Sequence, residues 1–259
     1  MRRDAAINFA YSIATFVVVL SLWQGLVRGL DIPAYFIPAP TDVLMALGRG
    51  ASLYWVHFLI TLERTLIAFV IAFVSGVVFG TLVSEVRFLE RTLYPVLVAL
   101  QSMPRIALAP VVIVWFGFGS MSKIVLGAFS AFFPVFLNTI HGLKTIDNDQ
   151  LTLMRSLGSN RFQTFWKVKL PSALPFLLAG ANIGIIFATL AVIVAEFLGA
   201  NQGMGFLIVT QSNQMDTPGV FANVFILSIT GIVFHYGIQF LRQRLIFWSG
   251  GNELSGERN

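Results

Sequence analysis

The 259-residue chain contains no cysteine, which excludes a disulfide framework and a thiolate metal site. Charge is scarce as well. Asp, Glu, Lys and Arg make up 11% of the residues, where a soluble domain carries about 25%, so too few charges remain to clothe a water-facing surface. None of Lys123, Lys144, Lys167 and Lys169 follows a glycine, so there is no Gly-x-x-x-x-Gly-Lys loop to cradle nucleotide phosphates. None of His57, His141 and His235 precedes a glutamate, which removes the His-Glu-x-x-His zinc motif, and no Gly-x-Ser-x-Gly nucleophile elbow occurs. These scattered histidines, without sequence partners, read as interfacial or packing residues. The sequence offers no catalytic site, cofactor site or metal site of its own.

What is present is oil. Apolar residues reach 56% and the mean hydropathy is +0.80, the composition of an integral membrane protein. A helix needs about 20 mostly apolar residues to cross the hydrocarbon core. Six segments qualify, roughly Ala5–Val27, Thr65–Val83, Leu93–Phe116, Ile124–Leu143, Pro175–Leu198 and Val220–Leu241. The ten-residue alternation of barrel strands is missing, so the expected fold class is all-α, one transmembrane domain over residues 1–259. The first run is longer than a signal-peptide core and lacks a small-x-small cleavage site after it, so it reads as a retained span.

Orientation follows from the cations. With the N-terminus inside, the inner segments hold Arg2, Arg3, Arg87, Arg91, Lys144, Arg155, Arg161, Lys167, Lys169, Arg242, Arg244 and Arg258, and the outer loops only Arg28, Arg49 and Lys123. Both termini and the 144–171 loop are expected in the cytoplasm. Topology thereby explains the net charge of +5 without nucleic acid. In the first outer loop, Asp42 after Thr41 starts a short amphipathic helix with Val43, Leu44 and Leu47.

The 144–171 loop carries the most unusual stretch, RSLGSNRFQTFWKVKLPSALP, from Arg155 to Pro175. Leu151, Met154 and Leu157 form one face of a short helix, and Gly158 is its left-handed terminator. Ser159 or Asn160 caps a second helix, with Gln163 three residues beyond Asn160. That helix shows Phe162, Phe165, Trp166 and Lys169 beside Arg161 and is expected to stop at Pro171, after Leu170. Basic, aromatic helices outside the bilayer suit either a groove on a soluble partner or an anionic lipid surface, and the physics leaves both open.

Gly158 followed nine residues later by Val168-x-Leu170-Pro171 resembles the EAA loop of ABC importer permeases, with Thr152-Leu153-Met154 at the Glu-Ala-Ala positions. SMPRIALAPVVIVWFGFGSMSK (Ser102–Lys123), AEFLGANQGMGFLI (Ala195–Ile208) and FIPAPTDV are similar to segments of the nitrate, sulfonate and taurine branch of that family. The resemblance spans about 200 residues in order. It implies a type I importer: two permease copies around a central path, two ATPase subunits below and an extracytoplasmic binding protein above. The ATPase subunits, not this chain, would use ATP and Mg. The coupling residues it implies are Leu151, Met154, Arg155, Leu157, Gly158, Arg161, Phe162, Phe165, Trp166, Leu170 and Pro171. The branch handles small anions, and near relatives handle pyrimidine or aromatic compounds. The alternatives are an ATP-independent channel or carrier and a membrane scaffold.

Polar residues within spans are expensive and mark either a path or internal anchors. Pro104 and Pro110 are expected to bend the third span, beside Arg105, which either faces the path or anchors itself to a carbonyl. Arg64 and Glu196 sit near the outer ends of their spans and either pair as a gate or, for Glu196, lie at the headgroups. Gln101, Asn182 and Asn223 line the path or bridge helices, and Gly76-x-x-x-Gly80 and Gly180-x-x-x-Gly184 permit close helix approach within one chain or between two.

Overall fold

The computed structural model of the protein describes residues 2–246, all helix, turn and loop. Arg258 lies outside the described residues, as do the side chains of Arg2 and Arg3. The elements are α1 (Arg2–Gly29), α2 (Pro40–Arg49), α3 (Ala51–Glu85), α4 (Arg87–Gln101), a 3-10 turn (Arg105–Leu108), α5 (Ala109–Phe116), α6 (Ser120–Lys144), α7 (Asn148–Ser156), α8 (Arg161–Thr164), α9 (Leu170–Gly199), α10 (Met204–Asn213) and α11 (Thr217–Leu245). A π-helical turn, Phe165–Lys169, joins α8 to α9.

Among the described residues four helices are long and apolar enough to cross a membrane singly, among them Arg161–Gly199 taken as one, and the bent pair α4 and α5 adds a fifth if it is counted as one span. In α1 the apolar stretch among the described residues, Ala14–Gly29, is shorter than these, so the expected sixth crossing is the least complete. The second span begins at Ala51 rather than Thr65, because the polar Tyr54, His57, Thr61 and Arg64 that depress its hydropathy are buried and partnered. The third span breaks by 88° at Ser102–Pro104, where Pro104 is extended and cannot donate to the ladder.

The core is a three-helix packing of α3, α6 and α9 through small residues, with Ala72, Ala131 and Ala188 at its centre. The glycine pairs make that approach possible. A Cβ on Gly76 would stand 2.8 Å from Val135, one on Gly80 2.7 Å from Thr139, and one on Gly180 2.8 Å from Asn138. Both pairs therefore pack onto α6 within the chain, which decides between the two readings the sequence left open. Gly80→Val is expected to lower stability by about 1–3 kcal/mol through overpacking, read as a fall in the unfolding midpoint of the detergent-solubilised protein. By contrast α11 is loosely held, with 6% of its apolar window buried against 56% for α6.

The loop between α6 and α9 is built by caps. Asp147 accepts the Asp149 amide at the start of α7. At its end Gly158 takes φ +69°, the Ser159 amide donates to Met154 O and the Gly158 amide to Arg155 O, a Schellman termination. Asn160 and Gln163 exchange bonds in a capping box that starts α8. The expected stop at Pro171 does not occur. Pro171 sits in the first turn of α9, and the Lys167 carbonyl its ring would strike in a regular helix lies inside the widened π turn, closed by Leu170 N–H donating to Phe165 O. The end of the 144–171 loop and the fifth span are one rod of 39 residues, Arg161–Gly199. Lys169 binds Glu85 at 2.5 Å, and Lys144 pairs with Glu90.

Candidate functional sites

The predicted coupling residues divide into two sets. Arg155, Leu157, Gly158, Arg161, Phe162 and Trp166 are exposed, Leu157 and Phe162 each by 71%. Leu151, Met154, Phe165, Leu170 and Pro171 are half-buried, and Phe165 and Leu170 pack against the Leu143, Ala173 and Leu177 cluster. Phe165 thus leaves the face it was expected to share with Phe162 and Trp166. The π turn shifts the register, so spacing of three and four residues no longer keeps these rings on one side. Trp166 stays near both rings, 6.0 Å from Phe162 and 5.8 Å edge-on from Phe165. Leu153, Met154, Lys167, Val168 and Pro171 line a groove of about 390 Å³ between α7 and the π turn at the start of α9.

At the opposite end of the bundle, Arg64 and Glu196 meet at 2.7 Å in a buried pair. Glu196 is 1% exposed, which overturns the headgroup-level reading. Its carboxylate also accepts from Thr61 Oγ1 at 2.9 Å and from the Gly205 amide at 2.9 Å. The Met204 amide donates to Thr61 Oγ1, and Arg64 reaches further to Gln202 O and Ser120 Oγ. The Gly-x-Gly of the 195–208 stretch has a physical role here. Gly203 has φ +115°, and a Cβ on it would overlap the Glu196 carboxylate, while one on Gly205 would lie 2.6 Å from Ile193 O. Only glycine at these two positions lets the returning backbone pass close enough for the Gly205 amide to reach Glu196.

Two members of this network were not legible as such. His57, read as unpartnered, accepts the Gly203 amide at 2.9 Å. Lys123, counted above as an outer-loop charge, is fully buried and donates to Phe118 O and Gly199 O at 2.5 and 2.7 Å. A lysine in the first turn of an apolar helix opposes that helix's dipole, a signal that it serves carbonyls elsewhere, here at the C-terminal end of α9. Beside them Gln211 donates to Tyr54 at 3.1 Å and accepts from Asn223 at 2.5 Å, pinning α10 between α3 and α11.

Arg105 stands in the break of the third span. Its Nη1 donates to Ser130 O at 3.0 Å and its Nη2 to the Gln101 carbonyl at 3.4 Å, with Phe133 and Phe187 stacked at 5.3 and 5.1 Å. This is the anchored arrangement, bracing α6 and α9 against the bend. Pro104 is exposed. Asn182 joins neither group. It lies 3.2 Å from His235 across α9 and α11, so His235 too has a partner.

The described residues form a bundle of apolar helices with a bent third span and a capped helical insert, the architecture of a polytopic membrane protein. Residues 68–247 match the family described as binding-protein-dependent transport system inner membrane component. The chain is 35% identical over 90% of its length to the formylaminopyrimidine transport permease protein ThiX of Halalkalibacterium halodurans, covering 93% of that protein. It is 31% identical over 91% of its length to the aliphatic sulfonates transport permease protein SsuC, described as putative, of Bacillus subtilis, covering 86% of it. Its fold matches that of the inward-facing MetNI methionine ABC transporter with a TM-score of 0.62 at 21% identity, over 78% of this chain and 97% of that one. The protein belongs to the family of binding-protein-dependent inner-membrane permeases, the membrane-spanning transport subunits of ABC importers.

Proposed function

We propose that two copies of this chain enclose the path of an importer for a small polar or anionic organic solute, moved by alternating access. Two separate ATPase subunits grip the loop around residues 151–171 from the cytoplasm, and an extracytoplasmic binding protein delivers the solute. Both termini face the cytoplasm. ATP and Mg are consumed by the partner, and this chain binds no cofactor. Selectivity resides mainly in the binding protein, so sulfonates, taurine or nitrate, and the formylaminopyrimidine of a relative's name, are the solutes to try first.

One observation carries this reading: Phe162, Trp166 and Arg161 stand exposed on a rod continuous with a membrane span. Aromatic anchors beside an arginine are the composition of interface hot spots, and a helical rod transmits the force of a partner's closure. The Arg64–Glu196 network then serves as the outer gate, ordered while the path is closed outward. Arg105 acts through the bend it braces.

Gly158→Pro tests the coupling role. Proline cannot take φ +69° and removes the amide that donates to Arg155 O. Binding-protein-stimulated ATPase activity or co-purification of the ATPase is expected to be lost, with uptake at background. Wild-type uptake in this variant, or retention of the loop on anionic vesicles with no ATPase partner, would instead favour an ATP-independent carrier.

A further inference from the structure

Three successive amides at the head of α10 are each received by a buried side chain. Gly203 N–H donates to His57 Nδ1 at 2.9 Å, Met204 N–H to Thr61 Oγ1 at 2.8 Å and Gly205 N–H to Glu196 Oε2 at 2.9 Å. They are the free donors of a helix start and carry the positive end of its dipole. His57 and Thr61 lie one helical turn apart on α3, and Glu196 stands near the end of α9. The other end of α10 is held separately, through Gln211 to Tyr54 and Asn223. The head is thus clamped by an imidazole, a hydroxyl and a carboxylate already paired with Arg64.

Of these acceptors only the imidazole ordinarily loses its accepting atom near neutral pH. Accepting at Nδ1 requires the neutral ring with its proton on Nε2. Imidazolium donates from both nitrogens, so an Nδ1–H would confront the Gly203 N–H, and the new charge would face the positive helix end. The surroundings compensate little. From α10 the ring meets Phe206, stacked at 5.8 Å, and that helix carries no charged side chain. The charged groups of the network are Arg64 on α3, Lys123 on α6 and Glu196 on α9, two cations against one carboxylate. Tyr54 is engaged by Gln211, and Asp216, beyond α10, caps α11 through the Gly219 amide. We propose that His57 is a positioning residue of the outer gate: neutral, it holds the Gly203–Gly205 turn against Glu196, and protonated it lets the turn go. The bond is present above the imidazole range and lost as pH falls through it. The gate's purpose rests on the importer reading, whereas the latch is a property of this chain alone.

Hydrogen exchange of the full chain in detergent tests the latch without ATPase or solute. Protection factors, corrected for the intrinsic pH dependence of exchange, are read by mass spectrometry over residues 202–206 at about pH 8 and about pH 5.5, either side of the imidazole range. Protection is expected to fall at least about tenfold on acidification, with α6 unchanged. His57→Asn offers an acceptor oxygen near the Nδ1 position and cannot titrate, so its protection stays high at both values. His57→Phe keeps the ring against Phe206 but accepts nothing, so its protection is low at both. Wild-type protection that survives acidification, or an equal fall in His57→Asn, would overturn the latch. If the variants fail to fold, the midpoint of the wild-type loss is set against the NMR titration of the His57 ring: coincidence supports the latch and divergence overturns it. Absence of ATP-driven uptake at every pH would tell against the importer reading, while the exchange profile still decides the latch.

Discussion

Glu196→Ala is expected to destabilise the protein by about 3–5 kcal/mol, because it strands Arg64 in a buried site without its counter-charge. The loss compounds beyond the ion pair. The Gly205 amide and Thr61 hydroxyl lose their acceptor, and an unmet buried donor costs about 1–3 kcal/mol. Unfolding of the purified protein in detergent reads the effect. Arg64→Met alone should cost a similar amount. The paired variant Arg64→Met with Glu196→Leu should recover much of it, since neutral residues of like volume remove both charges together. If the single and paired variants were equally unstable, the pair would not be the source of the stability. If all were unchanged, the network would contribute nothing.

Deleting Val168 is expected to abolish uptake while the chain still inserts. The π turn holds one more residue than an α-turn, so removing one converts it and swings α8 by about 100° around the rod. Arg161, Phe162 and Trp166 then turn together relative to α9, away from the direction they now face, and Pro171 meets a regular-helix carbonyl. Val168→Ala, which keeps the count, should retain uptake. Transport in the deletion variant equal to that of Val168→Ala would show that the register of the rings is immaterial to ATPase docking.

The caps of the 144–171 loop were legible because capping is local chemistry. Gly158, Asn160 and Gln163 each act within a few residues of sequence, as Asp42 does at the start of α2. The family was legible as a resemblance of motifs, and the expense of charge at depth singled out Arg64 and Glu196 with pairing as one of two readings. What escaped was long-range or geometric. His57 and Lys123 bond residues 146 and 76 positions away, respectively, and no local pattern encodes such a partner. Pro171 read as a stop because the π turn that spares it has no periodicity of its own. The helix start at Ala51 was hidden because hydropathy scores Tyr54, His57 and Arg64 as if they met lipid, whereas protein surrounds them.

The unbroken run from Arg161 to Gly199 contains at one extremity the exposed rings of Phe162 and Trp166 and at the other the carboxylate of the buried network. At 1.5 Å per residue it is ~58 Å long, nearly twice the bilayer's hydrocarbon thickness. Such an element behaves as a seesaw. On the proposed docking of an ATPase at the ring-bearing extremity, a tilt of about 10° about the middle displaces each extremity by roughly 5 Å, more than the reach of a hydrogen bond, so a modest stroke at one extremity is enough to part Glu196 from Arg64 at the other.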